Sequence, residues 1–365
     1  MRRFLTLLIT FLSLTFVLSP TSSAATAVVI SEPTHRLSDG VFFDDLLAQK
    51  LAPNGELGSL IYYRGSGVKI WQVDPATISE ITAMSNGYGV QDGAVASGQI
   101  IATQWLEQFK KVTKFERVLS LPYGNPSGYW IDQISKDNST YFKALSQITL
   151  DTILGKATDG ITSYNSEQQS ISKRTVNVFE YAQRQINLLS SLVDQKDMVT
   201  EQLRLIQLLN PDIEAKKLSV LAADFDQSIT KMRSKLQIKS TKFTVTSENE
   251  ELPITIVNDF DSNVKLKLST RAINSKVEVA PVEIIELAPK SKQQVLLPIQ
   301  VLAPGDSRLL AQLTNLDNKP VGYPVYINLK LSVISPVATW ITSGAAVLLF
   351  IAILIQSVRR VRRRK

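Results

Sequence analysis

Apolar residues alternate with polar ones along most of residues 240–334. The period-two pattern recurs at Phe243/Val245, Ile254/Ile256, Val264/Leu266/Leu268, Val277/Val279, Val295/Leu297/Ile299/Val301, Leu309/Ala311/Leu313 and Val325/Ile327/Leu329/Leu331. Turn-forming stretches such as Asp261-Ser262-Asn263, Pro304-Gly305-Asp306 and Asp317-Asn318-Lys319-Pro320 separate the runs. About seven short strands in this arrangement predict an all-β, immunoglobulin-like sandwich over 239–334. Upstream the apolar period changes to that of a helix. Val178, Tyr181, Ala182, Leu188, Leu189 and Leu192 share one face, and Leu218, Leu221, Phe225, Ile229 and Met232 share another. A helical segment is therefore expected over 166–238, with Asn210-Pro211 restarting a helix as cap and first turn.

Residues 28–165 mix both periods. Ser59-Leu60-Ile61-Tyr62-Tyr63 and Val68 to Val73 read as strands, the second ending at Asp74-Pro75, where a helix should begin. A further helix is expected from Gly98 to Val112, with Ile101, Trp105, Leu106 and Phe109 on one face. A strand then follows at Val118–Leu121 and stops at Pro122. This order predicts βα units around a parallel sheet, an α/β domain like part of a (β/α) barrel.

The two ends carry a different signal. Arg2 and Arg3, an apolar run from Phe4 to Leu18, and small residues at Ser23-Ala24-Ala25 and Ala25-Thr26-Ala27 read as a signal peptide over 1–27. Val337–Val358 contains no charged residue and is followed by Arg359, Arg360, Arg362, Arg363, Arg364 and Lys365. This pattern predicts a single transmembrane helix over 337–358 and a basic cytoplasmic tail over 359–365. The chain would then be a single-pass cell-membrane protein with its N-terminus outside, the helix in lipid and the tail on anionic headgroups.

Charge adds one exclusion. The formal net charge is +7, from 40 basic and 33 acidic residues. Eight of the basic residues lie in the two terminal segments, which leaves 32 against 33 acids, a net of −1. The high pI of about 9.3 thus reflects the ends, and nucleic acid is not an expected partner. With no cysteine and one histidine, His35, thiolate catalysis and multi-histidine metal sites are excluded. No cofactor or metal is expected.

Asp74 is the most prominent carboxylate, because it follows a strand, where barrel enzymes place catalytic groups. A glycosidase needs a second carboxylate about 5–10 Å away. Asp92, Glu116 and Asp132 are available, and their spacing selects none of them. The competing reading is that Asp74 caps the helix starting at Pro75. Tyr123, Tyr129 and Trp130 offer aromatic faces for a sugar ring or, equally, for a core. Gly65-Ser66-Gly67 lacks the third Gly or Lys-Ser/Thr of a nucleotide loop.

Leu252-Pro253-Ile254-Thr255-Ile256-Val257-Asn258-Asp259, Gln312-Leu313-Thr314, Lys319-Pro320-Val321-Gly322, Val73-Asp74-Pro75, Asn86-Gly87-Tyr88, Trp105-Leu106 and Leu121-Pro122-Tyr123-Gly124-Asn125-Pro126 together resemble a family of uncharacterised actinobacterial envelope proteins. Genes of that family commonly lie beside the gene for the MurJ-type lipid II flippase. The resemblance implies an envelope location, a middle domain like a fragment of a sugar-active barrel, and a shortened member of the family. Where the family tends to carry Asp in the Leu-Pro-Tyr segment, this chain has Asn125 and Ser127. The expected function is a non-catalytic scaffold or accessory factor in cell-wall assembly, with a lipid II flippase or another wall-synthesis membrane protein as partner. A wall-glycan-binding module and a carbohydrate-active hydrolase using Asp74 are the alternatives.

Overall fold

The computed structural model describes residues 26–63, 65, 69–239, 242–282, 284–332 and 336–362. The amino-terminal module is built on three parallel strands, β1 (Thr26–Ile30), β2 (Lys69–Val73) and β3 (Arg117–Ser120), in the order β1-β2-β3. Helices α1 (Leu46–Leu51), α2 (Glu56–Tyr62), α3 (Pro75–Ser85), α4 (Gln99–Thr113), α5 (Gly128–Ile134) and α6 (Ser139–Leu154) follow in chain order. Ile30, Trp71, Val73 and Val118 from the sheet pack with Ile78, Ile81 and Met84 of α3 and Trp105 and Phe109 of α4. The Trp105 ring stacks on Phe109 at 5.1 Å, and Trp71 meets Phe109 edge-on at 6.4 Å. Fully buried aromatic rings of this size supply much of the module's apolar stabilisation.

Several expectations change here. Ser59–Tyr63 is mostly the end of helix α2, not a strand. Its buried residues Leu57, Gly58 and Ile61 follow helical spacing, which an apolar run this short cannot reveal. The expected barrel-like arrangement is an open sheet of three strands. Strand β1 begins at Thr26, inside the 1–27 segment read as a signal peptide; residues 1–25 lie outside the described residues, as do Ser66 and Gly67.

Helices α7 (Lys173–Leu189), α8 (Val199–Gln207) and α9 (Ala215–Arg233) form the next segment. Asn210-Pro211 lies in the turn between α8 and α9 and does not cap α9, which begins at Ala215. Strands β4 (Leu236–Lys239), β6 (Asn249–Asn258), β10 (Ser291–Val301) and β8 (Val277–Val279) then form one sheet in that order. The other sheet runs β5 (Phe243–Val245), β12 (Pro320–Leu331), β11 (Gly305–Thr314), β7 (Val264–Ala272) and β9 (Ile285–Leu287). The seven expected alternating runs all fall within strands, and β4 and β9 are additional. The helical segment and the two sheets share one core, in which Phe179 and Phe225 join Leu236, Ile254, Leu297 and Ile327. Asn258 closes strand β6 from a fully buried position. Its Nδ2 donates to the Ser262 and Ala288 carbonyls at 2.9 Å, and its Oδ1 accepts from the Phe260 amide at 3.0 Å.

The expected transmembrane anchor is withdrawn. Residues Pro336–Arg362 form helix α10, yet among the described residues no helix is long and apolar enough to cross a membrane. Thr342, Ser343 and Gly344 dilute the first turns. With the anchor go the single-pass membrane location, the lipid contact through Val337–Val358 and the orientation inferred from the tail, whose residues 363–365 lie outside the described residues.

Candidate functional site

The carboxyl ends of β1, β2 and β3 face the same way, the edge where open α/β sheets place their ligands. The chain leaving these strands supplies Glu32, Thr34 and His35 after β1, Asp74 after β2, and Tyr123, Gly124 and Asn125 after β3. Asp74 has no exposed surface. Its Oδ1 accepts from the Ala76 amide at 2.9 Å and the Gly124 amide at 2.7 Å, and its Oδ2 from the Thr77 hydroxyl at 3.0 Å. Asp74 therefore caps α3 and ties the β2 loop to the β3 loop. Burial pushes its pKa up from 3.8 to about 7 against these three hydrogen bonds, with Glu80 adding a further upward push.

Glu80, also buried, is the carboxylate the fold brings toward Asp74. Its Oε1 accepts from the Thr34 hydroxyl at 2.5 Å and from Gln207 Nε2 at 2.7 Å, and its Oε2 from the His35 amide at 2.9 Å. Helix α8 covers this edge. Arg204 donates to Thr34 Oγ1 at 3.0 Å, to Gln207 Oε1 at 3.1 Å and to the Arg36 carbonyl at 2.6 Å. Gly124, at φ +75°, lies so close to α8 that a Cβ there would fall 2.4 Å from Gln207 Cα. Only glycine permits both that backbone angle and that approach. Asn210 Nδ2 completes the seal by donating to the Gly124 carbonyl at 2.8 Å.

His35 is similarly committed. Nδ1 lies 2.6 Å from Asp44 Oδ1, and Nε2 lies 3.1 Å from Glu32 Oε1. Burial alone would lower its pKa, but the two carboxylate hydrogen bonds outweigh it and hold the ring above its usual range. Both ring nitrogens are thus occupied by carboxylates, which hold the ring in place between Asp44 and Glu32. Lys50 Nζ, 2.8 Å from Glu32, and Lys217 Nζ, 3.8 Å from Asp44, extend the cluster.

The other sequence candidates scatter. Glu116 precedes β3 and accepts from the Lys69 amide at 3.2 Å, so it belongs to the opposite end of the sheet from Asp74. Asp132 is exposed on α5. Asp92 lies in the short turn Gln91–Gly93, and its side chain is outside the described residues. Tyr123 lines a cavity beside Glu80 and Arg204; burial, with the charges of Glu80 and Asp74, pushes its hydroxyl up to about 12. Tyr129 and Trp130 sit on α5, edge to face at 5.0 Å, and do not line that cavity. Trp130 packs on the core and donates to the Gln169 carbonyl at 2.9 Å, while Tyr129 is 45% exposed. Among the described residues, no group of three or more acidic or histidine side chains could hold a metal ion.

Glu80, Arg204 and Gln207 had escaped the sequence reading. Glu80 did leave a signal, since it is the one charged residue of the helix Pro75–Ser85. Arg204 left none, because it stands in a mixed helix, Val199–Gln207, whose polar residues give no sign of which are buried.

No curated protein matches this chain. Among solved structures, it resembles WR4, a C. elegans MSP family member, at 14% identity over 27% of this chain and 98% of that one, with a TM-score of 0.21. E. coli alpha-2-macroglobulin matches at 20% identity over 26% of this chain and 6% of its own length, and a PapD-like domain of human CEP192 at 17% over 28% and 87%, both with TM-scores of 0.21. Likenesses this partial carry nothing further. A family match is more extensive, running from within α4 through the sandwich to the end of the chain: over residues 102–364 the chain belongs to the family of unknown function DUF6049.

Proposed function

We propose that this chain is a non-catalytic protein of the cell envelope, a scaffold or accessory factor that supports wall assembly by contacting another protein. The observation that carries the reading is the closure of the sheet's carboxyl edge. Asp74 has no exposed surface, and each of its oxygens is engaged in holding loops together. A hydrolytic carboxyl must reach the glycosidic oxygen directly, and α8 occupies the space through which a sugar would approach. The envelope setting rests on the resemblance to actinobacterial proteins encoded beside a lipid II flippase, which makes that flippase or a neighbouring wall-synthesis protein the proposed partner.

In-cell crosslinking of the tagged full-length chain tests this reading. Specific recovery of a wall-synthesis protein is the expected result. Absence of any such protein in the captured set rejects the scaffold. The exposed ring of Tyr129 favours one second reading, a wall-glycan-binding surface on α5, for which binding to purified wall material should fall when Tyr129 or Trp130 is replaced by alanine.

A further inference from the structure

A cavity of about 200 Å³ remains between the amino-terminal module and the helical segment. It holds roughly seven water volumes at about 30 Å³ each. Two ionic groups on its wall, Glu80 and Arg204, make the hydrogen bonds that seal the sheet edge, although Arg204 Nε keeps no partner among the described residues. Two others do not. Glu201 on α8 lines the cavity and makes, among the described residues, no direct ion pair; Lys235 acts on it only through longer-range Coulomb attraction. Burial pushes its carboxyl up, helped by the charge of Asp197 and opposed by its own backbone amide and by Lys235. Arg36 lines the same space. Its Nε donates to the Gly40 carbonyl at 3.3 Å and its guanidinium lies over the Phe42 ring at 5.7 Å, and no carboxylate pairs with it.

Opposite charges on the wall of one half-open cavity gain by pairing directly, and partly buried charges are costly when left alone. Here the space between them is left open. Thr200 and Ser228 add hydroxyls to it, while Tyr123 and Leu203 add apolar surface. We propose that this cavity binds a small free α-amino acid as its zwitterion. The ligand carboxylate would take the Arg36 guanidinium in a charge-assisted hydrogen bond. Its ammonium group would take Glu201, and its side chain would rest on Tyr123 and Leu203. Such a ligand supplies both missing charges at once and bridges the two modules. This site is separate from the closed Asp74 edge and does not depend on the partner proposed above.

The test is calorimetric titration of the full chain with glycine, L-alanine and D-alanine. Acetate, methylamine and glucose serve as single-charge and neutral controls. At least one of the amino acids should bind saturably, with each control at least tenfold weaker. Glu201→Gln and Arg36→Gln should each weaken binding at least tenfold, and Ser228→Leu, which fills the cavity, should abolish it. Lys110→Gln on α4 should leave it unchanged. Because Arg36 also packs on Phe42, the Glu201 and Ser228 variants decide the question if Arg36→Gln unfolds. Absence of saturable binding by all three amino acids overturns the proposal. So does binding of glucose in their place, or an affinity unchanged in Glu201→Gln and Ser228→Leu.

Discussion

Asp74→Asn stabilises this protein above pH 7 and leaves its stability near pH 4 almost unchanged. The folded state raises the Asp74 pKa from 3.8 to about 7, so the folded chain holds that proton more tightly than the unfolded chain does. Stability must then fall as pH rises between these values, because unfolding releases the proton and rising pH favours that release. At about 1.4 kcal/mol per pKa unit, the full effect is on the order of 4 kcal/mol. Asparagine keeps an oxygen for the Ala76 and Gly124 amides. Its Nδ2 can donate to the Thr77 hydroxyl, which then donates to the Glu32 carbonyl 3.3 Å away. Thermal or denaturant unfolding from pH 4 to pH 8 should show the two proteins diverging steadily, with the asparagine variant the more stable. Parallel curves would show that Asp74 is solvated and ionised in the folded state.

Arg204→Met should destabilise the chain by about 3–5 kcal/mol, the usual cost of removing one partner from a buried charged network. Methionine retains much of the side-chain volume, so the loss is of polar contacts. The Arg36 carbonyl would lose its bond from Nη2, and Glu80 would lose the cation that acts on its neighbourhood from α8. Denaturant unfolding at neutral pH reads this directly. A loss below about 1 kcal/mol would mean that α8 rests on the sheet edge through apolar contacts alone.

Both effects arise where three chain segments distant in sequence converge, and that explains what could be read in advance. The sandwich was legible because β6, β10, β11 and β12 are ten or more residues long and each carries a stretch of period-two alternation. The role of Asp74 as a helix cap was legible from Asp74-Pro75, since capping is a local property. Strands β4 and β9, with four and three residues, are too short to display a period. The apolar run at Ser59–Tyr63 was misjudged for the same reason. The run at Val337–Val358 was judged on hydropathy alone, and among the described residues no helix is long and apolar enough to cross a membrane. The sealed edge itself left almost no trace. Thr34, Glu80 and Arg204 are separated by 46 and 124 positions, and nothing in local periodicity announces that a buried arginine on one helix faces a buried glutamate on another.

Hydrogen exchange at the Ala76 and Gly124 amides, both donors to Asp74, tests the closed edge most directly. If α8 seals that edge permanently, these two amides should exchange only through global unfolding, with the same free energy and denaturant dependence as the slowest amides of the core. Exchange through a local opening several kcal/mol below the global value, insensitive to denaturant, would show that α8 lifts away and admits solvent to Asp74. That result would contradict a non-catalytic reading based on closure.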